Sequence, residues 1–213
     1  HLCGVSAYAA STNPMPDLLR ASARGEHVST LAWSEFASRS HFWAPVSQEV
    51  HQNGNVVLNA SKSFVTGAER VDGYVVTTRW ADAEQPLDSM IYYVSKEDAG
   101  IRRAGAWDAL GMRGNISSPM ILENVTIPAS RALSEPGKGL DMMLNVVLPV
   151  FNIGNAAISI GIAETAVQTT TRHLTTNRFQ HMDASLADLP IERARLAQMR
   201  IETDKARAHL SAA

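Results

Sequence analysis

The sequence predicts an α+β fold in which helices and strands are segregated along the chain. The hydrophobic period changes from helical to strand-like at about Ser29, and several short β-type runs follow. A helical period returns after Gly137-Lys138-Gly139 and continues to the end. Because strands do not alternate with helices, a parallel βαβ sheet is not expected. We therefore expect a helical segment, a small antiparallel β-barrel or sandwich, and an α-helical bundle.

Residues 1–28 are predicted to be the end of an N-terminal helical domain. Asn13-Pro14 interrupts the helical pattern, residues 15–24 resume it, and Gly25 follows where a left-handed residue caps a helix. The chain begins in one helical pattern and stops inside another. We therefore expect it to be part of a longer protein.

Residues 29–133 are predicted to form a middle β-domain. Short runs of β-branched and aromatic residues, separated by turn residues, are typical of a small barrel or sandwich. The predicted strands are 55–58, 73–78, 90–94, 119–122 and 125–127, with Pro128 as a stop.

Residues 134–213 are predicted to start a C-terminal helical domain, and Pro149 is expected to kink or break its first helix. Two apolar stripes at helical spacing predict helix packing. They are Ile153, Ala157, Ile160, Val167 and Leu174 on one helix, and Leu189, Leu196, Met199, Ala206 and Leu210 on the next.

Composition and motifs exclude several classes of protein. A net charge of −2 with scattered Lys and Arg predicts no nucleic-acid partner. We expect no apolar run to approach the ~20 residues of a bilayer-spanning helix, so no membrane partner is expected. A single cysteine, Cys3, is typical of a reducing compartment, and a cytoplasmic location is expected. Rossmann, P-loop, nucleophile-elbow and metal-ligand spacings are absent from the sequence.

Five short segments follow one another in a fixed order and carry the remaining information. They are Leu31–Glu35 with Ser38-Arg39-Ser40, then Leu58–Thr66, Ala109–Gly114, Glu123–Pro128 and the small-residue helix Ala156–Ala163. Together with the helix–β–helix layout, they resemble the middle β-domain and the start of the C-terminal domain of the acyl-CoA dehydrogenase family.

The resemblance implies a function. Family members bind FAD between the β-domain and the helices, assemble as homotetramers or dimers, and pass electrons to an acceptor flavoprotein. They dehydrogenate an acyl-CoA thioester: a carboxylate removes the α-proton while a hydride leaves for flavin N5. We therefore expect an FAD-dependent oxidoreductase whose small-molecule substrate is an acyl-CoA or a similar compound.

The resemblance also implies cofactor contacts in the β-domain. Phe64 and Thr66 match the aromatic residue and the threonine that flank the isoalloxazine, and Ser34, beside Trp33, matches a hydroxyl residue that touches the flavin. On a strand, residues i and i+2 point to one face, so the Phe64 ring and the Thr66 hydroxyl can meet one ligand. A core phenylalanine beside a strand threonine is the alternative.

Other matches concern phosphates and substrate. Ser40 matches a serine near the cofactor pyrophosphate or the CoA end of the substrate, and Arg39 lies in the same turn. Asn152 occupies a position near which many relatives carry arginine. Arg178 is the candidate for contact with the FAD pyrophosphate of a neighbouring subunit, because a guanidinium suits phosphate; a solvated arginine at a helix end is the alternative.

The loop at Gly111-Met112-Arg113-Gly114 is predicted to be a tight turn in which glycine supplies the unusual backbone angles. Arg113 is expected to hold this loop, and a position facing the ligand is the alternative. Ser117 and Ser118 are expected to line the substrate side.

The sequence departs from the family in two places. The family's Gly-Ser-Asp turn reads Arg39-Ser40-His41, which is bulkier and more basic, and Phe42 and Trp43 follow it. Many relatives have an arginine near the position of Asn152 and a minority place a catalytic glutamate near Phe151, and neither residue type is present here. Most relatives use a glutamate far downstream, so the resemblance implies a catalytic base outside this chain. Glu164 and Glu192 are expected in solvent or in salt bridges. Three functions stay open: an acyl-CoA dehydrogenase, a flavin monooxygenase on the same fold, and a non-catalytic flavoprotein or scaffold.

Overall fold

A computed structural model describes residues 1–39 and 41–213, and it confirms the predicted α+β order. The chain divides into two compact units, His1–Val150 and Phe151–Ala213. The domain limits expected from the family, at 28/29 and 133/134, stay a prediction.

The N-terminal segment forms two short helices, α1 (Leu2–Ala9) and α2 (Pro16–Ala23). The break between them contains Asn13, whose side-chain amide donates to the carbonyl oxygen of Ala132 at 2.9 Å. Gly25 has φ of 73°, so the predicted left-handed residue after the second helix is confirmed.

Two sheets follow. Their strands are β1 (Ser29–Ala32), β2 (Val50–Gln52), β3 (Asn55–Val65), β4 (Gly73–Arg79), β5 (Ser89–Ser95), β6 (Ile101–Arg103) and β7 (Ser118–Pro128). One sheet has the order β1-β4-β5 and the other β2-β3-β7-β6. All pairs are antiparallel except β1 with β4, which is parallel. Across the described residues the two sheets do not close into a barrel, so the sandwich alternative is the correct one.

The core between the sheets explains why these runs become strands. Inward residues of β3 and β7 pack against inward residues of β4 and β5 in one apolar cluster. Burial of apolar area is the main favourable term in such a sandwich, at about 25 cal/mol per Å². The cluster includes Val56, Leu58, Val65, Tyr74, Val76, Tyr92, Val94, Met120, Leu122 and Ile127.

The outer face of the three-stranded sheet is also covered. Val75 and Ile91 lie in a second cluster with Tyr8 of α1 and with Met143 at the start of the C-terminal helices. Strands β4 and β5 are therefore buried on both faces, which accounts for their nearly continuous apolar sequence.

The C-terminal segment contradicts a break at Pro149, whereas a kink there stays a prediction. A helix runs without a break from α3 (Gly139–Met142) through a π-helical turn (Met143–Val147) into α4 (Leu148–Thr176). Proline has no N–H to donate to the residue four positions earlier, and the widened turn before it absorbs that missing bond. The last helix is α5 (Pro190–Ala212).

The same continuous helix overturns the expectation about apolar length. The helix from Gly139 to Thr176 has 38 residues and is long and apolar enough to cross a bilayer by length and composition alone. Its stretch between Asp141 and Glu164 carries no charge. A helix of a bundle with apolar side chains on several sides has the same composition, so the absence of a membrane partner stays a prediction.

The predicted packing stripes are right in part. Val167 and Leu174 are buried on α4, and Leu196, Met199 and Leu210 are half-buried on α5. Ile160 is half-buried as well, whereas Ile153, Ala157, Leu189 and Ala206 are exposed, so the stripes do not extend to these four residues.

Candidate functional site

The end of β3 presents one aromatic ring and one hydroxyl on the same side. Phe64 is 56% exposed, Val65 is fully buried and Thr66 is exposed again, so residues 64 and 66 share a face as predicted. Large aromatic side chains are usually covered, and a ring left open at a strand end is a candidate ligand surface.

A β-bulge directs Phe64 outward. The pairing of β3 with β7 shifts between Lys62 and Val65, and a bulge of this kind re-aims the side chains that follow it. Lys62 points inward and is fully buried, and without the shift Phe64 would point inward as well. The bulge is therefore the local feature that creates the open ring.

The segment after β1 lies along this strand. The backbone N–H of Ser63 donates to the carbonyl oxygen of Ser34 at 2.8 Å, and the N–H of Phe36 donates to Ser61 at 3.4 Å. Ser34, the predicted flavin-contacting hydroxyl, is thereby fixed beside the residue that precedes Phe64.

Trp33 lies inside the β-unit rather than at its surface. Its ring is buried and stacks on Phe42, with 5.9 Å between ring centroids and 28° between the planes. Its indole N–H is buried and has no acceptor among residues 1–39 and 41–213. A contact of Trp33 with a cofactor stays a prediction.

Thr66 meets the loop that precedes β7. Its hydroxyl is 2.9 Å from the hydroxyl of Ser117, and the N–H of Gly67 donates to the carbonyl oxygen of Asn115 at 2.8 Å. Ser118 is fully buried, and its hydroxyl has no partner in the described part of the chain. The structure thus brings Ser117 to Thr66, whereas the predicted substrate contact of both serines stays untested.

The segment 111–116 corrects the prediction for Gly111 and Gly114. Its left-handed residues are Met112 (φ 51°) and Ile116 (φ 48°), and neither glycine is among the positive-φ positions. The expected structural role of Arg113 agrees with its ion pair to Asp108 at 3.0 Å. Next to these residues, Leu110 is fully exposed.

The divergent turn after Ser38 is an exposed loop with one packed aromatic residue. Arg39 is exposed with φ of 50°, whereas Ser40 lies outside the described residues. Phe42 packs inward on Trp33, and His41 stacks on the exposed Trp43 with centroids 4.9 Å apart. The bulky turn therefore adds an aromatic surface beside a basic side chain.

A buried ion pair underlies this surface, and the sequence reasoning did not assign it a role. The ammonium of Lys62 is 2.7 Å from the carboxylate of Glu35, and both side chains are buried. Burial opposes ionisation of Glu35, but the Lys62 charge and hydrogen bonds from Lys62 and Ser47 outweigh it and hold the pKa below its usual range. The inward direction of Lys62 was the available signal, because a lysine inside a sandwich needs a partner.

The helical unit holds the remaining candidates. Asn152 and Phe151 are exposed on α4, and Arg178 forms an ion pair with Asp183 in the loop that follows. This pair agrees with the alternative of a solvated arginine, and the phosphate contact stays a prediction. The expected salt bridges of the two glutamates are confirmed: Glu164 binds Arg200 at 2.7 Å, and Glu192 binds Arg195 at 3.2 Å.

The residues at the end of β3 fit a flat aromatic ligand with hydrogen-bonding atoms on its edge. Phe64 offers a ring face, Thr66 offers a hydroxyl group on the same side of the strand, and Ser34 carries a hydroxyl group on the segment whose backbone binds Ser63. An isoalloxazine ring has this chemistry, since it can pack on an aromatic side chain and accept hydrogen bonds at N5 and O4.

The described residues form a two-sheet β-unit with a candidate seat for a flat aromatic ligand, followed in the chain by long helices. Residues 30–125 match the family model described as acyl-CoA dehydrogenase, middle domain, and the predicted resemblance to the acyl-CoA dehydrogenase family is confirmed.

Two curated relatives illustrate the similarity. The chain is 28% identical over 183 residues to the mitochondrial short-chain specific acyl-CoA dehydrogenase of Homo sapiens. This alignment covers 86% of the chain and 44% of that protein. It is 31% identical over 144 residues to a 3-(aryl)acrylate reductase of Clostridium sporogenes, covering 68% of the chain and 38% of that protein. The chain thus spans less than half the length of these relatives.

Solved structures show the same fold. A probable acyl-CoA dehydrogenase of Mycobacterium abscessus superposes with a TM-score of 0.86 at 18% identity, over 97% of the chain and 54% of that structure. The butyryl-CoA dehydrogenase of Megasphaera elsdenii superposes with a TM-score of 0.83 at 22% identity, over 92% of the chain and 50% of that structure.

Proposed function

We propose that the protein containing this chain is an FAD-dependent oxidoreductase that dehydrogenates an acyl-CoA thioester at its α and β carbons. The observation that carries the proposal is the outward Phe64–Thr66 pair on β3, with Ser34 fixed beside it, inside the segment that matches the middle domain. Bound FAD would supply the hydride acceptor. The residues of this chain would seat and orient its ring.

The helical glutamates do not suit the role of base. Hydrogen bonds from Arg200 and then Arg207 hold the pKa of Glu164 at about 2, so this carboxylate is a very weak proton acceptor. Glu192 is paired with Arg195. We propose that the base is a carboxylate supplied by the longer protein.

The test is an anaerobic titration of the full-length, FAD-loaded protein with short, medium and long acyl-CoAs, followed at the visible flavin band. Bleaching by at least one acyl-CoA is the expected result, because two electrons reduce the flavin. No bleaching by any of them would contradict the proposed reaction.

A flavin monooxygenase is the second candidate, and the divergent loop favours it. Arg39 and the stacked His41–Trp43 pair stand where the family has a small Gly-Ser-Asp turn. A monooxygenase needs no α-proton base. It would form product only with a reductase and oxygen, and its flavin would not be bleached by acyl-CoA, so the same titration separates the two candidates.

We also propose that the protein is a homo-oligomer whose reduced flavin passes electrons to an acceptor flavoprotein. The exposed apolar side chains of the helical unit support the first part. These are Phe151, Ile153, Ile158, Ile162, Ile191 and Ile201. Light scattering on the full-length protein tests the assembly, and a monomer would contradict it.

A further inference from the structure

The buried Glu35–Lys62 pair joins three separate segments. The ammonium of Lys62 donates to Glu35 at 2.7 Å, to the carbonyl oxygen of Thr77 at 2.6 Å and to that of Trp33 at 3.4 Å. One side chain on β3 therefore binds the segment after β1 and the middle of β4.

The carboxylate of Glu35 holds the far end of the divergent loop. It accepts hydrogen bonds from the backbone N–H groups of Val46 and Ser47, both at 2.9 Å, and from the Ser47 hydroxyl at 2.5 Å. Glu35 itself precedes this loop, whose described residues are 36–39 and 41–45. A single carboxylate thus closes both ends of this loop, as ends are closed in a compact surface loop.

Stability alone is a poor explanation for such a pair. Removing two charges from water carries a large desolvation cost, and well-packed apolar residues of similar size often stabilise a protein as well or better. The alternative use of a buried pair is to fix one arrangement among several, because its contacts are directional.

The arrangement at stake here is the register of β3. A slip by one residue would turn Phe64 inward, since side chains alternate between the faces of a strand. Lys62 is the last residue paired before the bulge that turns Phe64 outward, and its bonds to Glu35 and Trp33 fix it against the segment that carries Ser34.

We propose that Glu35 and Lys62 are positioning residues that hold the two ends of the divergent loop, at residues 36–39 and 41–47, and the Ser34 segment in register with the Phe64 strand. The consequence for flavin rests on the proposed function. If FAD binds at Phe64, the pair sets the position of the ring without touching it.

The test measures amide hydrogen exchange of the full-length protein, first without flavin. Variants Lys62→Met and Glu35→Gln remove one charge each. Ser47→Ala removes only the hydroxyl donor and leaves the buried pair intact, so it is the mildest of the three changes. Asp98→Asn is the matched control, because Asp98 forms a partly buried pair with Arg131 at 2.6 Å between two other segments. The β5 amides from Met90 to Val94 serve as the internal reference, and Ser95 is left out because its N–H donates to Asp98.

We expect the Val46 and Ser47 amides to exchange about tenfold faster or more in Lys62→Met and Glu35→Gln, while β5 amides are unchanged. Ser47→Ala should give a smaller increase, and Asp98→Asn should give none at this loop. Uniform acceleration across β5 and the loop, or no acceleration at the loop, would overturn the proposal.

A second measurement links the pair to the flavin. In FAD-loaded protein, Lys62→Met and Glu35→Gln should weaken FAD binding about tenfold and shift the visible flavin bands, whereas Asp98→Asn should change neither. A faster-exchanging loop with unchanged FAD binding and spectrum would overturn the positioning role. If the wild-type protein binds no FAD, the proposed function fails, and the exchange rates still decide whether the pair holds the loop.

Discussion

The β-unit buries most of its large apolar side chains, whereas the helical unit leaves many of its own exposed. In residues 1–150, strands β4 and β5 are buried on both faces and two apolar clusters fill the unit. In residues 151–213, Val167 and Leu174 are buried, but several isoleucines face solvent. The β-unit therefore holds its own core, whereas the helical unit needs further cover for its apolar faces, as a bundle helix would. The same kind of substitution should consequently have different effects in the two units.

The largest expected difference comes from glycine replacement. Gly100 has φ of 93°, and a Cβ there would overlap the carbonyl oxygen of Glu123 in the neighbouring strand. We expect Gly100→Ala to lower the free energy of unfolding of the β-unit by about 3 kcal/mol or more. Gly154, in α4, has open space around it, and Gly154→Ala should stabilise the helix by about 0.5–1 kcal/mol.

Denaturant titrations can measure the two units separately. All four tryptophans, at 33, 43, 80 and 107, lie in the β-unit, so their fluorescence reports that unit alone. Far-UV circular dichroism reports mainly the helices. A fluorescence midpoint of Gly100→Ala equal to that of the wild type would contradict the strand pairing of β6 and β7.

Truncation of apolar side chains should give the next largest difference. Leu58 is buried between the sheets, and Leu58→Ala should cost the β-unit about 2–5 kcal/mol through lost burial and a cavity. Ile162 is exposed on α4, and Ile162→Ala should cost the 213-residue chain less than about 0.5 kcal/mol. An Ile162→Ala cost in the full-length protein that approaches that of Leu58→Ala would show that the assembled protein covers this face.

The order of helices and strands could be predicted from the sequence, but the outward direction of Phe64 could not. The change of period at Ser29 and the strand runs gave the element order, because patterns of two and 3.6 residues are local properties. The spacing of Phe64 and Thr66 placed them on one face. Their outward direction depends on the bulge after Lys62, and a bulge arises from pairing with β7, which no local pattern reveals.

Two other features could not be predicted from the sequence for similar reasons. The continuity of the helix through Pro149 depends on a π-turn, which widens the backbone without a sequence signature. The bonds from Val46 and Ser47 to Glu35 join residues 11 and 12 positions apart, and they exist only when the loop is folded.

The smallest expected effect is a difference in pH dependence. Burial raises the pKa of Glu49 in the β-unit above its ordinary 4.5, although His51, Tyr92 and the N–H of Ala81 partly oppose this. A raised folded-state pKa means that stability is present at low pH and is lost as pH rises from 4.5 through the folded pKa. As pH rises over that range, the free energy of unfolding of the wild type should therefore fall relative to that of Glu49→Gln.

The helical unit should show the opposite sign. The pKa of Glu164 is lowered to about 2, so its stabilising contribution is present above 4.5 and is lost as pH falls toward 2. Urea unfolding by circular dichroism between pH 2 and 5, with Glu164→Gln as the comparison, measures this contribution. A wild-type profile equal to that of Glu164→Gln would rule it out.

The most direct test of the flavin seat is the affinity of the flavin-stripped full-length protein for FAD, measured for the wild type and for Phe64→Ala. Val50→Ala is the control, because Val50 is as exposed as Phe64 and lies on β2. We predict that the wild type binds FAD, that Phe64→Ala weakens binding about tenfold or more, and that Val50→Ala leaves it unchanged. Equal FAD affinity of Phe64→Ala and the wild type, or no FAD binding by the wild type, would contradict the assignment of this face as the cofactor seat.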